Sequence, residues 1–283
     1  MERNSKKILA GIVLYKPQLS RLLKNVEMVI GQVDQIVLYV NGRESFEAAD
    51  KIQSQYPSVN VILNERNAGI ATALKRIMQY AIEHSFEWAL AIDQDSVCDG
   101  NLVKTYRKYQ SLPNVGMLTC NIIDRNFHQN TGFQNDEDYR EVERCITTAS
   151  YMNVKAYQAT DGYDEKMFID GVDWDICYNL RRHGYKIYKV NYDGVLHEVG
   201  HGKDVTLFGK HYIVYGESPL RNYYSARNDV YLAKKYPEFI NMRRTVLREI
   251  KAEVLILLFE NQKLAKITRR WKGIAEAKNG ISN

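Results

Sequence analysis

Residues 88–92, Trp-Ala-Leu-Ala-Ile, run straight into Asp93-Gln94-Asp95-Ser96, and the fold turns on this stretch. An unbroken apolar run of strand length with no polar alternation reads as a strand buried on both faces. Such strands belong to sheets covered by helices on both sides. The acidic end of this one lies at the carboxyl edge, where open α/β sheets bind their ligands. Working outward, the same pattern repeats. Residues 8–15 form another apolar run, after which Pro17 opens a helical spacing of Leu19, Leu22, Leu23, Val26, Val29 and Ile30. Residues 35–40 are strand-like before Asn41-Gly42, and a helical stretch follows. Residues 59–63 are strand-like before Asn67-Ala68-Gly69, and 68–84 read as a helix. Strands alternating with helices predict a parallel, doubly covered sheet.

Past the acidic turn the pattern is less regular. Residues 115–120 predict a strand, 126–141 a polar loop, 145–149 an extended segment, 174–183 a helix closed by Gly184, and 185–190 an alternating strand. The 283 residues suit one α/β core with an appendage. With 45% hydrophobic and 26% charged residues, and Gly and Pro at 17 and 5, the composition excludes disordered and collagen-like classes. Cys98, Cys120, Cys145 and Cys177 form no CxxC pair, which argues against a disulfide-stapled secreted domain or a structural zinc module and fits a reducing cytosol. The apolar run at 8–15 is too short to span a membrane and leads into Lys16-Pro17, so neither a signal peptide nor a spanning segment is expected.

The net charge of +5 is unevenly placed. From Lys234 onward 12 Lys/Arg oppose 5 Asp/Glu, a surplus of +7 that leaves the rest at −2. A basic tail on a slightly acidic body points to phosphates or an anionic membrane surface, and not to nucleic acid along the whole chain.

Carboxylates two apart in a turn, such as Asp93 and Asp95, can converge on one hard divalent cation, and a cation so held can bind a diphosphate. The pattern 93–97 also resembles haloacid-dehalogenase-type phosphatases, in which the first Asp is a nucleophile. That family places its motif after the first strand. Here it follows the fourth, and the upstream turns at Tyr15-Lys16, Asn41-Gly42 and 67–69 suit a nucleotide pocket better.

Several stretches, taken in order, give the chain a wider likeness: 10–15 (AGIVLY), 40–42 (VNG), 67–74 (NAGIATAL), 93–96 (DQDS), 162–165 (GYDE), 168–175 (FIDGVDWD), 180–185 (LRRHGY) and 221–224 (RNYY). In this it resembles family 2 inverting glycosyltransferases of the GT-A fold, and most closely their bacterial rhamnosyltransferase branch. Galactofuranosyl- and other hexosyltransferases that use UDP-sugars look similar over the same stretches. The resemblance implies a Rossmann-like, mostly parallel central sheet with helices on both faces and a C-terminal helical extension. It also implies a catalytic domain over 1–216, split into a nucleotide-sugar half (1–105) and an acceptor half (106–216), with a basic helical region over 217–283.

By the same resemblance, the backbone around Tyr15, Asn41 and Asn67 holds the base and ribose of a nucleotide-sugar donor, a dTDP- or UDP-sugar. Val40 stands where the family often has an acid. Asp93 faces the ribose and a metal water, Asp95 binds Mn²⁺ or Mg²⁺, and His197 stands where metal-dependent members can place a third ligand, with His201 and His211 as weaker candidates. Inversion by direct displacement needs a carboxylate to deprotonate the acceptor hydroxyl. The family motif selects Asp173 for this, with Asp170 and Asp175 as rivals. Thr148-Ala149-Ser150 replaces the Ser-Gly turn common in relatives, and Trp174 could floor an acceptor sugar.

Arg221, Tyr223, Tyr224 and Arg227 follow a glycine-containing loop at 200–216 that could close over a diphosphate, with Arg221 the phosphate partner. From 242 to 271, Leu247, Ile250, Val254, Leu257, Leu258, Leu264, Ile267 and Trp271 recur at helical spacing. Arg243, Arg244, Arg248, Lys251, Lys263, Lys266, Arg269, Arg270 and Lys272 decorate the flanks. Such a segment suits an anionic membrane interface at the cytoplasmic face, where lipid-linked glycan acceptors reside, or else docks on the protein or on a second subunit of a homodimer. The expected activity is transfer of L-rhamnose from dTDP-L-rhamnose to a growing cell-surface polysaccharide. A non-catalytic glycan-binding module would need neither Asp173 nor a metal.

Overall fold

The computed structural model describes residues 6–124, 133, 137–197, 202–207 and 209–280. The chain forms two compact units, one of residues 1–165 with 176–198, the other of 166–175 with 199–283.

In chain order the first unit contains β1 (Ile8–Leu14), α1 (Leu19–Ile30), β2 (Gln35–Asn41), α2 (Phe46–Gln55), β3 (Asn60–Asn64) and α3 (Gly69–Glu83). There follow β4 (Trp88–Asp93), β5 (Val97–Cys98), α4 (Leu102–Arg107), β6 (Val115–Asp124), β7 (Tyr139–Val142), β8 (Ser150–Asn153) and α5 (Val154–Gln158). It closes with most of α6 (Val172–Arg182) and with β9 (Lys186–His197). Among the described residues these strands make one nine-stranded sheet in the order β3-β2-β1-β4-β8-β6-β9-β5, with β7 also on β9. β3, β2, β1 and β4 are mutually parallel, and β6 runs parallel to β9. β8 is antiparallel to β4 and β6, and β5 and β7 are antiparallel to β9. The sheet is therefore mostly parallel, with reversed strands inserted at its centre and edge.

The apolar runs fold as read because helices cover both faces: Ile8, Ile12, Leu14, Leu38, Val40, Leu90 and Ile92 are all buried. Gly11 shows how closely α3 approaches. A Cβ there would stand 2.4 Å from Ile77 Cγ2, so only glycine lets this helix seat on β1.

Several local expectations are corrected. Residues 145–149 form no strand: 147 is a bend and 148–149 a turn ending in Ala149 at φ +60°, and the strand begins at Ser150. The turn is fixed by its own polar groups: Thr148 is fully buried, its hydroxyl donates to Ser96 Oγ at 3.0 Å, and the Tyr106 hydroxyl donates to the Ala149 carbonyl at 2.7 Å. The polar stretch 126–141 lies mostly outside the described residues, but its end joins the sheet as β7. α6 starts at Val172, which places Asp173 inside its first turn.

The second unit holds β10 (Lys203–Leu207), β11 (Lys210–Val214), α7 (Pro219–Lys235), α8 (Met242–Phe259), α9 (Lys263–Asn279) and the first residues of α6. Where a closing loop was expected at 200–216, β10 and β11 pair as a hairpin turning at Gly209, φ +72°. α7 begins on Pro219, and the Ser218 hydroxyl caps it by accepting the Arg221 N–H at 3.2 Å. The single helical segment expected over 242–271 is two helices, broken where Gln262 takes φ +54°.

α8 has its apolar face turned outward. Its buried positions are Thr245, Glu249 and Ile256, while Val246, Leu247, Ile250, Val254, Leu257 and Leu258 are exposed. The cause is electrostatic. Arg270 of α9, expected on a basic flank, is buried and donates to Glu249 at 2.7 Å, and Lys266, likewise buried, pairs with Glu260. These charges draw the polar edge of α8 inward, because a buried guanidinium is tolerated only when paired.

Candidate active site

In the first unit, the sheet register sets the carboxyl ends of four strands side by side. Leu14 pairs with Val40, Val13 with Asp93, and Asn41 with Asn64. Tyr15 follows β1, and its backbone is clamped by Gln94: its N–H donates to Gln94 Oε1 at 2.9 Å, and Gln94 Nε2 donates back to its carbonyl at 3.0 Å. The middle residue of the D-x-D turn thus locks that turn to the end of β1. Sequence reasoning passed over Gln94, although an amide between two acids, able to donate and accept at once, was the available signal. Lys16 is held at φ +49°, its N–H donating to Ser45 Oγ at 2.9 Å.

Asn41 and Asn67 are brought together, but as mutual braces. Asn41 Nδ2 donates to Asn67 Oδ1 at 3.0 Å and to the Gly69 carbonyl at 3.3 Å, while its Oδ1 accepts the Ala68 N–H at 2.8 Å. Asn67 Oδ1 also accepts the Gly69 N–H at 2.9 Å. Buried Asn41 therefore shapes the turn into α3. Asn41 is 3% exposed, and both ends of its amide are taken by these bonds.

Asp93 and Asp95 are half-buried on a turn closed by the Ser96 N–H donating to the Asp93 carbonyl at 3.0 Å. That carbonyl also accepts from Asn25 Nδ2 at 2.8 Å, and the Asp93 N–H donates to Thr148 Oγ1 at 3.2 Å. Asn25, Ser96 and Thr148 are each fully buried, so both carboxylates stand on a rigid polar platform. The antiparallel pairing of Val97 with Leu196 carries the backbone of His197, one step on, beside the turn. Its side chain lies outside the described atoms, as does His201. His211 is exposed on the hairpin of the second unit, 3.3 Å from Asp204.

Among the described residues no three His, Cys, Asp or Glu side chains converge on a metal position. The two carboxylates on one braced turn are hard oxygen donors of the kind Mg²⁺ and Mn²⁺ accept, with diphosphate oxygens and water completing the shell. The residues present thus fit a divalent ion held jointly with a ligand, not one caged by protein alone.

In the second unit the loop before α6 is strained: Phe168 has φ +58°, Asp170 φ +64° and Gly171 φ +75°. Non-glycine residues adopt this region only where surrounding contacts impose it. Those contacts come from α7. Buried Asn228 directs its amide at the carbonyls of Met167, Ile169 and Asp170, each at 2.8 Å. Buried Arg227 donates to the carbonyls of Lys166 and Met167, stacks on Tyr224 at 4.8 Å, and pairs with Glu276 at 3.5 Å. Arg227 and the tyrosines beside it serve packing.

The three rival acids separate clearly. Asp175 is wholly buried, accepting from Lys235 Nζ at 2.8 Å and from the Tyr236 hydroxyl at 2.9 Å, which is a structural anchor. Asp170 meets Arg221 Nε at 3.0 Å, and burial raises its carboxyl above the usual range in spite of that cation. Asp173 is half-buried in the first turn of α6, where the helix dipole favours a carboxylate, and it accepts the Trp174 N–H at 3.0 Å. Trp174 has Arg248 over its indole at 5.7 Å. Arg221, expected at a diphosphate, sits between Asp170 and Glu217, the latter 3.0 Å away. Replacing Asp175 with Ala is expected to lower unfolding stability by about 3 kcal/mol, the low end for a broken buried pair because Lys235 keeps some exposure. Asp173→Ala should change it by less than about 1 kcal/mol. Urea unfolding of the two variants distinguishes anchor from site residue.

Four parallel strand ends carrying a braced acid pair form the edge at which a doubly wound sheet binds its ligand. Residues 12–171 match the family described as glycosyl transferase family 2, and the chain belongs to it. It is similar to the dTDP-rhamnosyl transferase RfbF of Shigella flexneri, 24% identical over 274 residues that span 90% of each chain, in keeping with the rhamnosyltransferase-like branch. Among solved structures it resembles GalNAc-T7 with UDP, GalNAc and Mn²⁺ (TM-score 0.62, 15% identity) over 99% of this chain and 57% of that one. It also resembles S. aureus TarS (TM-score 0.60, 10% identity) over 98% of this chain and 49% of that one. The chain thus spans about half the length of these two structures, which at such identities speak for the fold.

Proposed function

We propose that the chain is an inverting transferase that moves L-rhamnose from dTDP-L-rhamnose to a lipid-linked or growing cell-surface polysaccharide, with Asp173 as the base. The observation that carries the reading is the braced turn 93–96 at the strand ends, joined by the likeness to RfbF over nearly the whole chain. The turns at Tyr15, Asn41 and Asn67 receive the nucleotide through backbone groups. Asp95, Asp93 and His197 are the residues that would hold Mn²⁺ or Mg²⁺, which when bound neutralises charge on the departing diphosphate. Asp173 accepts the proton of the attacking hydroxyl, so that attack and departure occur on opposite faces of the sugar.

Release of nucleoside diphosphate from dTDP-L-rhamnose, UDP-galactofuranose and UDP-glucose tests the donor. Preference for dTDP-L-rhamnose is expected, and turnover of a UDP-sugar alone would move the protein to the second reading, a UDP-dependent hexosyltransferase.

The outward apolar face of α8 meets the acceptor's lipid environment in this account. Among the described residues no helix is long and apolar enough to cross a bilayer. The exposed stripe of Leu247, Ile250, Val254 and Leu257, flanked by Arg243, Arg244 and Lys251, suits interfacial seating, and the +7 surplus of this region disfavours pairing with an identical copy. Vesicles containing phosphatidylglycerol should co-sediment the full chain. The double substitution Ile250→Glu with Leu257→Glu should weaken that binding at least tenfold. Unchanged binding, or a concentration-dependent dimer abolished by the same pair, would count against the membrane.

A further inference from the structure

All four cysteines are thiols, and they divide into two kinds. Cys98 and Cys120 are sealed in the core, where burial pushes their thiols up to about 12 and about 11. Such groups stay protonated at neutral pH and out of reach of an oxidant. Cys145 is partly exposed, in the irregular stretch 144–146 between β7 and β8, and the turn 148–149 follows it. Cys177 is fully buried in the middle of α6. The two sulfurs lie 3.9 Å apart, and the Cys177 thiol donates toward the Cys145 carbonyl at 3.8 Å. The Cys145 sulfur also stands 3.1 Å from Sδ of buried Met117 in β6. Three sulfurs from three separate segments therefore meet in one place, and one of the three residues is partly exposed.

A disulfide needs its sulfurs about 2.05 Å apart, so closing this pair takes a shift of about 1.9 Å. α6 is not the side that gives. It rests on β6 so closely that a Cβ at Gly116 would stand 3.1 Å from Leu180 Cδ2, and Asn179 of α6 donates to the Gly162 carbonyl at 3.0 Å. The Cys145 side lies in no helix or strand. Three residues on, the Thr148 hydroxyl accepts the Asp93 N–H and donates to Ser96, and the Ser150 N–H closes the turn on the Thr147 carbonyl at 3.0 Å. A pull on Cys145 is thus delivered to the support of the 93–96 turn.

We propose that Cys145 and Cys177 are a reversible redox pair, which hydrogen peroxide closes into a disulfide that loosens the turn at 93–96. The sulfur of Cys145, as thiolate, attacks one peroxide oxygen. An S–O bond forms, the O–O bond breaks, and the departing hydroxide takes up the proton the thiol lost, giving water. Cys145 is then a sulfenic acid, its sulfur oxidised and the peroxide reduced. The sulfur of Cys177 attacks it, the S–S bond forms, the S–O bond breaks, and the released hydroxide carries off the Cys177 proton as a second water. A small-molecule dithiol reverses the oxidation by exchange. An accessible cysteine poised beside a resolving one is the arrangement of redox sensors, and in reducing surroundings such a bond is transient. Its effect on nucleotide affinity rests on the transferase reading, whereas the disulfide itself does not.

The test treats the full chain with hydrogen peroxide and maps the products by peptide mass. A cross-linked pair of peptides holding Cys145 and Cys177, lighter than the thiol forms by two hydrogens, is expected, and dithiothreitol should reverse it. Cys145→Ser and Cys177→Ala should each abolish the cross-link, the first at a partly exposed position where serine is accommodated. In the oxidised wild type the amides of 93–96 should exchange with solvent at least tenfold faster, and affinity for dTDP with Mn²⁺ should fall at least tenfold. Cys145→Ser under peroxide should show neither change. The proposal is overturned if both thiols persist, if Met117 gains an oxygen in place of the cross-link, if the cross-link joins Cys98 or Cys120, or if the disulfide forms and exchange at 93–96 is unchanged. A reduced chain that binds no dTDP counts against the transferase reading, and the mass and exchange results then still decide the proposal.

Discussion

Asp173→Asn is expected to lower sugar transfer by about 10²–10⁴-fold, the range a positioned general base contributes. The substitution keeps the size of the side chain and the acceptor for the Trp174 N–H, so the first turn of α6 should persist. What it removes is a site for the acceptor's proton, without which the hydroxyl must attack as a neutral nucleophile. Affinity for the nucleotide should stay within about twofold, because the groups proposed to hold it belong to the strand-end turns at 15, 41, 67 and 93–95. Asp170→Asn should act differently, by weakening the ion pair with Arg221 at 3.0 Å that ties the loop before α6 to α7. Asp175→Asn should act through stability, because that carboxylate is consumed by Lys235 and Tyr236. Initial rates for the three variants, set beside their unfolding midpoints, separate the roles. Full activity in Asp173→Asn would refute the base assignment.

The first half of the fold was legible for a physical reason. A strand covered on both faces must be apolar at every position, and the runs at 8–15, 35–40 and 88–92 stand out from their polar surroundings. The position of the acid pair at a strand end followed from the same reading. Strand direction was not legible, because apolar periodicity is the same whichever way a strand runs, so the reversed β8 inserted between β4 and β6 left no trace in the sequence.

At the site the residue types were readable and their partners were not. The backbone around Asn41 and Asn67 was expected at the base and ribose, but that their amides close on one another and on the turn at 68–69 is visible only once two chain segments 26 residues apart are adjacent. Gln94 was overlooked because its partner, the backbone of Tyr15, is 79 residues away. The same holds for α8. Its period suggested one helix with basic flanks, but the ion pair between Glu249 and Arg270 turned its polar edge inward and its leucines out.

The second large effect concerns the acid pair. Asp95→Ala removes one of two hard oxygen donors on the braced turn while Ser96, Thr148 and Asn25 keep the turn's shape. A divalent ion shared with a diphosphate is bound weakly by a single carboxylate, so nucleotide and ion should be lost together. The most direct measurement is a calorimetric titration of dTDP, UDP and GDP, with and without Mn²⁺, on the wild type and on Asp95→Ala. The account predicts binding of dTDP that strengthens at least tenfold with Mn²⁺ in the wild type, with that gain abolished by the substitution. Binding of no nucleoside diphosphate under any condition, or an undiminished Mn²⁺ effect in Asp95→Ala, would contradict it.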